Sequence, residues 1–228
     1  MPVVSAWQIS QEGYSWSLND SDALNRCRRA KRLLQKGWGV TAEYAVRALS
    51  SETWPAFVRL AEKHNGVWGG CWCIWFHPRC ADKTLGNRAY KEQLVREGRA
   101  HAALVFDGDV AVAWCEYGSP EELPNIYHLK QYTAEQTTVP DFRITCFFVD
   151  RDYRRKGVAA RALAGALEQI AEAGGGEVEA YPHDTQGKKV SGSFLYNGTR
   201  HLFEKAGFTY DRAKGQRNCV MRKTVAAG

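Results

Sequence analysis

The chain of 228 residues lacks the long apolar run that a membrane-spanning helix requires, since no run approaches the roughly 18 residues needed. Its first residues, M-P-V-V-S-A-W-Q-I-S, lack the basic segment followed by an apolar segment that marks a secretory signal peptide. The seven cysteines are an odd number, which does not fit the disulfide framework of a secreted domain and favours a reducing compartment. These absences predict a cytoplasmic protein.

Charge and composition exclude little. The net charge of +6 is compatible with a nucleic acid, an anionic lipid or a polyanionic small molecule as partner, and it selects none of them. A hydrophobic content of 44% is ordinary for a soluble globular protein. The length suffices for one domain with a substantial core and an appendage.

Residues 1–40 are predicted to form a basic helical extension of a main domain that spans residues 41–228. Apolar residues recur at helical spacing between a capping signal at 19–21 and Gly37. Six basic residues cover the same stretch: Arg26, Arg28, Arg29, Lys31, Arg32 and Lys36. The helix is interpreted as a solvated face, which is the commoner case, or as an arm that contacts an anion or nucleic acid through residues 26–36.

The main domain mixes strand and helix signals. Asp107-Gly108-Asp109 between two apolar stretches is typical of a hairpin. The predicted strands are 44–49, 101–106, 110–117, 143–149, 177–181, 208–211 and 219–224, and the predicted helices are 54–63, 83–98, 158–173 and 193–206. Since strands and helices do not alternate strictly, we expect a mixed sheet packed between helices.

A cluster of basic residues follows the apolar strand that ends at Val149. Arg154, Arg155 and Lys156 precede Gly157, and an alanine-rich helix begins directly after it. A helix N-terminus presents unpaired N–H groups and a partial positive charge, and a glycine lets the backbone approach a ligand closely. The patterns G-x-x-x-x-G-K-[ST] and G-x-G-x-x-G are absent. The turn is therefore expected to bind a polyphosphate by another arrangement.

Two motifs resemble those of the GNAT N-acetyltransferase superfamily. Arg154-x-x-Gly157-x-Ala159 after C-F-F-V is similar to its acetyl-CoA loop, and L-F-E-K-A-G-F, Leu202–Phe208, is similar to its final helix. The resemblance covers about residues 42–224. It implies an α/β fold of the mixed α+β kind, in which a mostly antiparallel sheet of six to seven strands is flanked by helices and splayed in the middle to admit acetyl-CoA.

The resemblance also implies how acetyl-CoA, the cosubstrate, is held. Amides of the turn would contact the pyrophosphate, and the end of the preceding strand would pair with the pantetheine arm. The amide of Phe148 or Val149 would donate to the oxyanion of the tetrahedral intermediate. The full set of implied contact residues is Phe147, Phe148, Val149, Arg154, Arg155, Lys156, Gly157, Val158, Ala159, Ala160, Asn197 and Phe203.

Acetylation requires the acceptor amine to be neutral, which a general base assists. Some members of the family place an acidic residue on the strand before the loop, where this chain has Thr145 and Cys146. Glu116, near the end of the preceding strand, and His183, which is followed by Asp184, are the candidate bases. Either residue can instead lack a catalytic role, Glu116 as a solvated residue at a strand end and His183 as an ordinary loop histidine. In that case the amine would lose its proton to water.

The departing CoA thiolate needs a proton. Many members of the family carry a tyrosine immediately before the Glu-Lys pair of the final helix, where this chain has Phe203. Tyr196 is the candidate substitute, because seven residues place it on the same face of a continuous helix, about 10 Å further along the axis. Since a CoA thiol leaves readily without help, we predict catalysis that does not depend on a tyrosine.

The segment C-W-C-I-W-F-H-P-R-C contains four residues able to bind zinc: Cys71, Cys73, His77 and Cys80. Structural zinc sites usually pair C-x2-4-C with a second pair further along, and this spacing differs. The interleaved aromatic residues favour a buried segment under the CoA cleft, in which the cysteines are small core residues. We expect no bound metal.

The sequence therefore predicts an acetyl-CoA-dependent N-acetyltransferase, an acyltransferase that acts on a primary amine of a small molecule or a protein. The alternative is a non-catalytic regulatory module that has the same fold and binds acyl-CoA. The connection 119–141 and the loop 182–192 should line the acceptor entrance, and their composition does not identify the amine. No membrane partner is expected, and a homodimer is left open.

Overall fold

The structure is a computed structural model, and it describes residues 44–82, 84–185 and 190–228. The predicted basic helix and the predicted domain boundary near residue 40 lie outside these residues. Among the described residues, no helix is both long and apolar enough to cross a membrane.

Seven strands form one sheet in the order β1-β2-β3-β4-β5-β7-β6. Neighbouring strands are antiparallel except for β4 and β5, which are parallel. This arrangement confirms the predicted mixed, mostly antiparallel sheet. The strands are β1 (Ala45–Ala48), β2 (His101–Asp107), β3 (Val110–Gly118), β4 (Phe142–Val149), β5 (Gly176–Ala180), β6 (Thr209–Lys214) and β7 (Asn218–Val225).

Helices cover both faces of the sheet. They are α1 (Trp54–Lys63), α2 (Asn87–Arg96), α3 (Leu129–Glu135), α4 (Val158–Glu172) and α5 (Arg200–Lys205), with 3-10 turns at Arg151–Tyr153 and Gly192–Phe194. On one face, α4 packs against β1 to β4. Ala162, Leu163, Ala166 and Ile170 repeat at intervals of three and four residues, and all four are buried against the sheet.

The opposite face carries α1, α2 and the cysteine-rich segment in a second apolar core. Proline in the first turn of α1 costs nothing, because the N–H groups there lack helical partners. Phe57 of α1 packs at a tilt against Trp114 of β3, with ring centroids 4.8 Å apart. This contact fixes α1 above β3, the neighbour of the strand β4 that leads into the turn before α4.

The sheet opens between β4 and β5. The two strands pair only from Phe142 to Ile144 on β4, and β4 then continues to Val149 with β3 alone beside it. Residues 195–198 enter this opening. The Phe147 amide donates to the Tyr196 carbonyl over 2.6 Å, and the Asn197 side chain donates to the Thr145 carbonyl over 2.9 Å. The splay that the family resemblance implies is therefore present.

The predicted continuous helix 193–206 is wrong. A 3-10 turn at Gly192–Phe194 is followed by Asn197-Gly198, in which Gly198 has a φ of 76°. Thr199 then caps α5 by accepting a hydrogen bond from the Leu202 amide. An Asn-Gly pair and a threonine cap are local signals for a turn and a helix start, and they outweigh the helical spacing. Tyr196 consequently does not share a helix with Phe203.

Two smaller differences concern the connections. The helix predicted for residues 83–98 is the shorter α2, and the helical turn considered for the connection 120–140 is the seven-residue helix α3. The cysteine-rich segment forms successive turns between α1 and α2.

Candidate active site

The turn between β4 and α4 has the geometry of an anion site. Arg155 and Gly157 adopt left-handed backbone conformations, with φ of 60° and 79°. The helix α4 begins directly at Val158, and a Cβ atom placed on Gly157 would meet no atom within 4 Å. The free N–H groups of the α4 N-terminus therefore border open space, which a side chain at position 157 would enter.

A buried carboxylate, that of Asp150, anchors this turn to α1. Asp150 accepts from the Asp152 amide over 3.1 Å and pairs with the Lys63 ammonium over 2.7 Å. Burial alone would raise the pKa of Asp150, but the hydrogen bonds from Lys63 and from the Asp152 amide lower it on balance. Asp150 therefore stays ionised and holds the turn in place. Lys63 is 87 residues away along the chain, so sequence reasoning missed this contact.

A cavity of about 340 Å³ extends from the α4 N-terminus along β4. Nine of the twelve residues predicted to contact acetyl-CoA line it: Phe147, Phe148, Val149, Arg154, Arg155, Gly157, Val158, Ala159 and Ala160. The lining residues that the sequence did not single out are Trp68, Tyr153, Gly192, Leu195, Gly198, Thr199 and Leu202. Several of these lie where the sequence predicted one continuous helix, so that error hid them. We call this space the donor cavity.

The other three predicted contact residues lie outside the lining of the donor cavity. Lys156 places its ammonium 5.2 Å from the centre of the Tyr153 ring. Asn197 is bound to β4 through its side chain. Phe203 is fully buried and packs edge-on against Phe147, with ring centroids 5.8 Å apart. Asn197 and Phe203 therefore support the wall behind the lining.

The backbone of β4 directs alternate amides into the opening. The Asp150 amide donates to the Val112 carbonyl of β3, and Phe148 lies opposite Trp114 in the same register. Since amides alternate in direction along an antiparallel strand, the Phe148 amide also faces β3. The amides of Phe147 and Val149 face the other way, and that of Phe147 is bonded to Tyr196. Of the two predicted oxyanion donors, Val149 has the suitable direction.

A second cavity, of about 350 Å³, lies on the α1 and α2 face of the sheet. Its lining residues are Trp68, Gly69, Cys71, Cys73, Ile74, Trp75, Phe76, Cys80, Asn87, Tyr127, Cys146 and Tyr196. Trp68 lines both cavities, and Cys146 of β4 directly precedes Phe147 of the donor cavity. The two cavities therefore meet at the middle of β4. We call the second space the aromatic cavity.

Aromatic rings form much of the wall of the aromatic cavity. Trp75 and Tyr127 are stacked almost parallel, with centroids 4.1 Å apart and an interplanar angle of 10°. Tyr196 lies 5.9 Å from Tyr127 and 6.0 Å from Trp68. Burial and the hydrogen bond with Tyr127 raise the pKa of Tyr196, so its hydroxyl stays protonated. The sequence predicted Tyr196 as a site residue, and the structure places it on this wall.

Two cysteines of this wall, Cys71 and Cys73, are neutral thiols. Burial raises the pKa of Cys71, and burial together with a hydrogen bond to Cys146 raises that of Cys73 well above its usual range. His77 points elsewhere, with Nε2 3.2 Å from Glu116. Within the described parts of the chain, no three histidine, cysteine or acidic side chains are grouped to hold a metal ion.

Glu116, one of the two candidate bases, is fully buried and already paired. Its Oε1 atom lies 2.7 Å from the Lys91 ammonium and 3.2 Å from His77, and its Oε2 atom accepts from Thr145. Burial alone would raise the pKa of Glu116, but Lys91 and His77 hold it at about 2. It does not line either cavity. A group so acidic and enclosed is poorly suited to take a proton from an amine at neutral pH.

His183, the other candidate, joins the segment after β5 to the start of α5. Its amide donates to the Gly198 carbonyl, and its carbonyl accepts from the Arg200 amide. The side chain is largely buried, and burial together with the charge of Arg217 lowers the pKa of His183. It is therefore neutral at pH 7. His183 adjoins Thr199 of the donor cavity without lining either cavity.

Comparison with known proteins identifies the class. A sequence model of the acetyltransferase (GNAT) family matches residues 71–208, which is more than half of the chain. The chain therefore belongs to this family, which confirms the resemblance found in the two motifs. It is an acetyltransferase of the class that uses acetyl-CoA. No curated protein matches the chain.

Solved structures of acetyltransferases are similar to this chain. A GNAT-family acetyltransferase of Desulfovibrio desulfuricans is 17% identical, with 80% of this chain and 99% of that chain covered and a TM-score of 0.47. An acetyltransferase of Thermus thermophilus is 15% identical, with coverages of 79% and 96% and a TM-score of 0.43. The PaiA N-acetyltransferase of Thermoplasma acidophilum, in complex with coenzyme A, is 15% identical, with coverages of 80% and 99% and a TM-score of 0.43.

Proposed function

We propose that the protein transfers the acetyl group of acetyl-CoA to a primary amine that enters through the aromatic cavity. The observation that carries this proposal is the meeting of the two cavities at Trp68 and Cys146-Phe147. One cavity begins at a helix N-terminus suited to a pyrophosphate, and the other opens on the opposite side of β4. A donor and an acceptor can therefore approach the same stretch of β4 from two directions.

The chemistry follows from this placement. The amine nitrogen attacks the thioester carbonyl, a C–N bond forms, and the C–S bond breaks with its electron pair remaining on sulfur. The Val149 amide is directed to donate to the oxygen that becomes negative in the tetrahedral intermediate. The proton lost by the amine passes to water or to the thiolate. Tyr196 lines the aromatic cavity and keeps its hydroxyl proton, so it is the candidate proton donor to the thiolate on that side.

Deprotonation of the amine is assigned to water. Glu116 is enclosed by Lys91 and His77, and His183 lies beside α5, so neither candidate base faces the aromatic cavity. An apolar cavity itself favours the neutral form of a bound amine. We expect kcat/KM to rise with pH until the free acceptor amine is neutral, with no break caused by Glu116.

Acetyl-CoA binding tests the donor half of the proposal. Gly157→Val would place a branched side chain in the open space before α4 and should abolish binding measured by calorimetry. Gly98→Val is the matched control, because Gly98 also has a left-handed φ, of 67°, and open space around its Cβ position, and it lies outside the donor cavity. Arg154→Ala should weaken binding by about 1–3 kcal/mol through a lost charge-assisted contact.

The outcomes separate the proposal from its rival. Unchanged affinity in folded Gly157→Val and Arg154→Ala would remove the donor cavity from acetyl-CoA binding. Tight binding in the wild type without CoA release in the presence of any amine would favour the non-catalytic module.

A further inference from the structure

The aromatic cavity carries information about the acceptor that the family assignment does not. We infer that the acceptor is a small aromatic amine, with a primary amino group on or close to a planar ring and no carboxylate or phosphate. This inference rests on the proposed function, because it takes the aromatic cavity as the acceptor site. It follows from the walls of the cavity, its size and its position beside β4.

The walls favour a flat ring. The nearly parallel stack of Trp75 on Tyr127 joins the cysteine-rich segment to the connection 119–141. Tyr196 adds a third ring from the segment that enters the opening of the sheet. Aromatic rings bind one another by offset or edge-on contacts and bury a large apolar area. A planar ring is therefore the ligand shape that these side chains accommodate best.

The remaining lining favours an acceptor without a further charge. Cys71, Cys73, Cys80 and Cys146 contribute thiols, and among the residues that the structure describes, no acidic or basic side chain lines this cavity. A carboxylate, a phosphate or a second ammonium would lose its water here without gaining a partner of opposite charge. Amino acids, polyamines and aminoglycosides are thus disfavoured. A neutral ring with a single amino group meets no such penalty.

Size and position agree with this class. A volume of about 350 Å³ lies at the small end of the range for ligand pockets, and it suits an acceptor group of about the size of one ring system. The amino group must reach Cys146-Phe147, where the aromatic cavity meets the donor cavity. A ring packed against the exposed faces of Tyr127 and Tyr196 would need a short arm to place its amino group at Cys146-Phe147.

The test compares acceptors that differ in one group. Acetylated product would be measured by mass spectrometry with wild-type protein and saturating acetyl-CoA. Tryptamine and 2-phenylethylamine represent the proposed class, tryptophan adds only a carboxylate to tryptamine, and spermidine represents polyamines. We expect kcat/KM for tryptamine to exceed that for tryptophan and for spermidine at least 100-fold.

Variants connect the preference to this cavity. Tyr127→Ala should raise the KM for tryptamine at least tenfold and leave the acetyl-CoA affinity unchanged, whereas Tyr127→Phe, which keeps the ring, should change KM less than threefold. If Tyr127→Ala does not fold, inhibition of the wild type by indole, competitive with tryptamine and not with acetyl-CoA, provides the same information.

Two results would overturn the inference. One is acetyl-CoA-dependent acetylation of spermidine or tryptophan at a rate equal to or above that of tryptamine. The other is an unchanged KM for tryptamine in folded Tyr127→Ala, or the absence of inhibition by indole. In both cases the proposed acetyltransferase function survives. Failure of the wild type to bind acetyl-CoA would instead refute the proposed function itself.

Discussion

Replacing Lys91 with methionine would remove the ammonium that neutralises a carboxylate in the core. The Lys91 side chain is 1% exposed and that of Glu116 is 0% exposed, with Nζ and Oε1 2.7 Å apart. The Lys91 ammonium also donates to the Cys73 carbonyl, over 3.1 Å. The pair therefore joins α2, β3 and the cysteine-rich segment. Methionine keeps most of the apolar stem and removes only the charge.

The structure sets the size of the effect. The pKa of Glu116 falls from an ordinary 4.5 to about 2, which corresponds to about 3 kcal/mol of folding free energy above about pH 5. Removing one partner of a buried ion pair typically costs about 3–5 kcal/mol. We expect Lys91→Met to lower the free energy of unfolding by about 3 kcal/mol at pH 7.

Urea unfolding of four proteins measures this effect: the wild type, Lys91→Met, Glu116→Gln and the double variant. Each single variant leaves one buried charge without its partner of opposite charge 2.7 Å away, whereas the double variant has neither charge. The cost of the double variant should therefore be smaller than the sum of the single costs by at least about 2 kcal/mol. Arg88→Met is the control on the same helix, because the Arg88–Glu62 pair is half exposed and should contribute less than about 1 kcal/mol.

The pH dependence of the free energy of unfolding tests the same ion pair independently. In the wild type, the stabilisation by Glu116 is complete above its ordinary pKa of 4.5 and is lost as the pH falls towards 2. In Lys91→Met, burial without the ammonium raises the pKa of Glu116 above its wild-type value. The loss of unfolding free energy relative to the wild type is therefore largest at neutral pH, and it shrinks at lower pH as the carboxyl takes up a proton. Additive single costs and a deficit independent of pH would refute the assignment of Glu116 as a charged structural group.

Two further predictions concern α4 and Tyr196. A Cβ atom on Gly165 would clash with Cγ1 of Val46, so Gly165→Ala should destabilise the protein by about 1–3 kcal/mol, and adding Val46→Ala should restore most of the loss in thermal unfolding. Tyr196→Phe should lower kcat at saturating acetyl-CoA by less than about tenfold, whereas loss of a working general acid costs about 10²–10⁴-fold. A hundredfold fall with acetyl-CoA affinity intact would make Tyr196 the donor to the departing thiolate.

The sequence alone was enough to predict an anion site at the turn between β4 and α4. The apolar strand, the cations, Gly157 and the start of α4 are contiguous, so local chemistry was enough to predict a polyphosphate site there. The two family motifs added the mixed sheet with its splay. The hairpin at Asp107-Gly108-Asp109 was also predictable, since loop residues of this kind determine the turn.

The cavity proposed for the acceptor could not be predicted from the sequence. Trp68, Trp75, Tyr127, Cys146 and Tyr196 come from four separate regions of the chain, and no local pattern predicts that they share one cavity. For the same reason, sequence reasoning placed Glu116 among the candidate bases. Its partner Lys91 is 25 residues away on another element, and this ion pair turns an apparent catalytic carboxylate into a buried structural charge. Charges and rings that are far apart in the sequence come into contact only when the helices pack on the sheet, so no short stretch of sequence predicts these contacts.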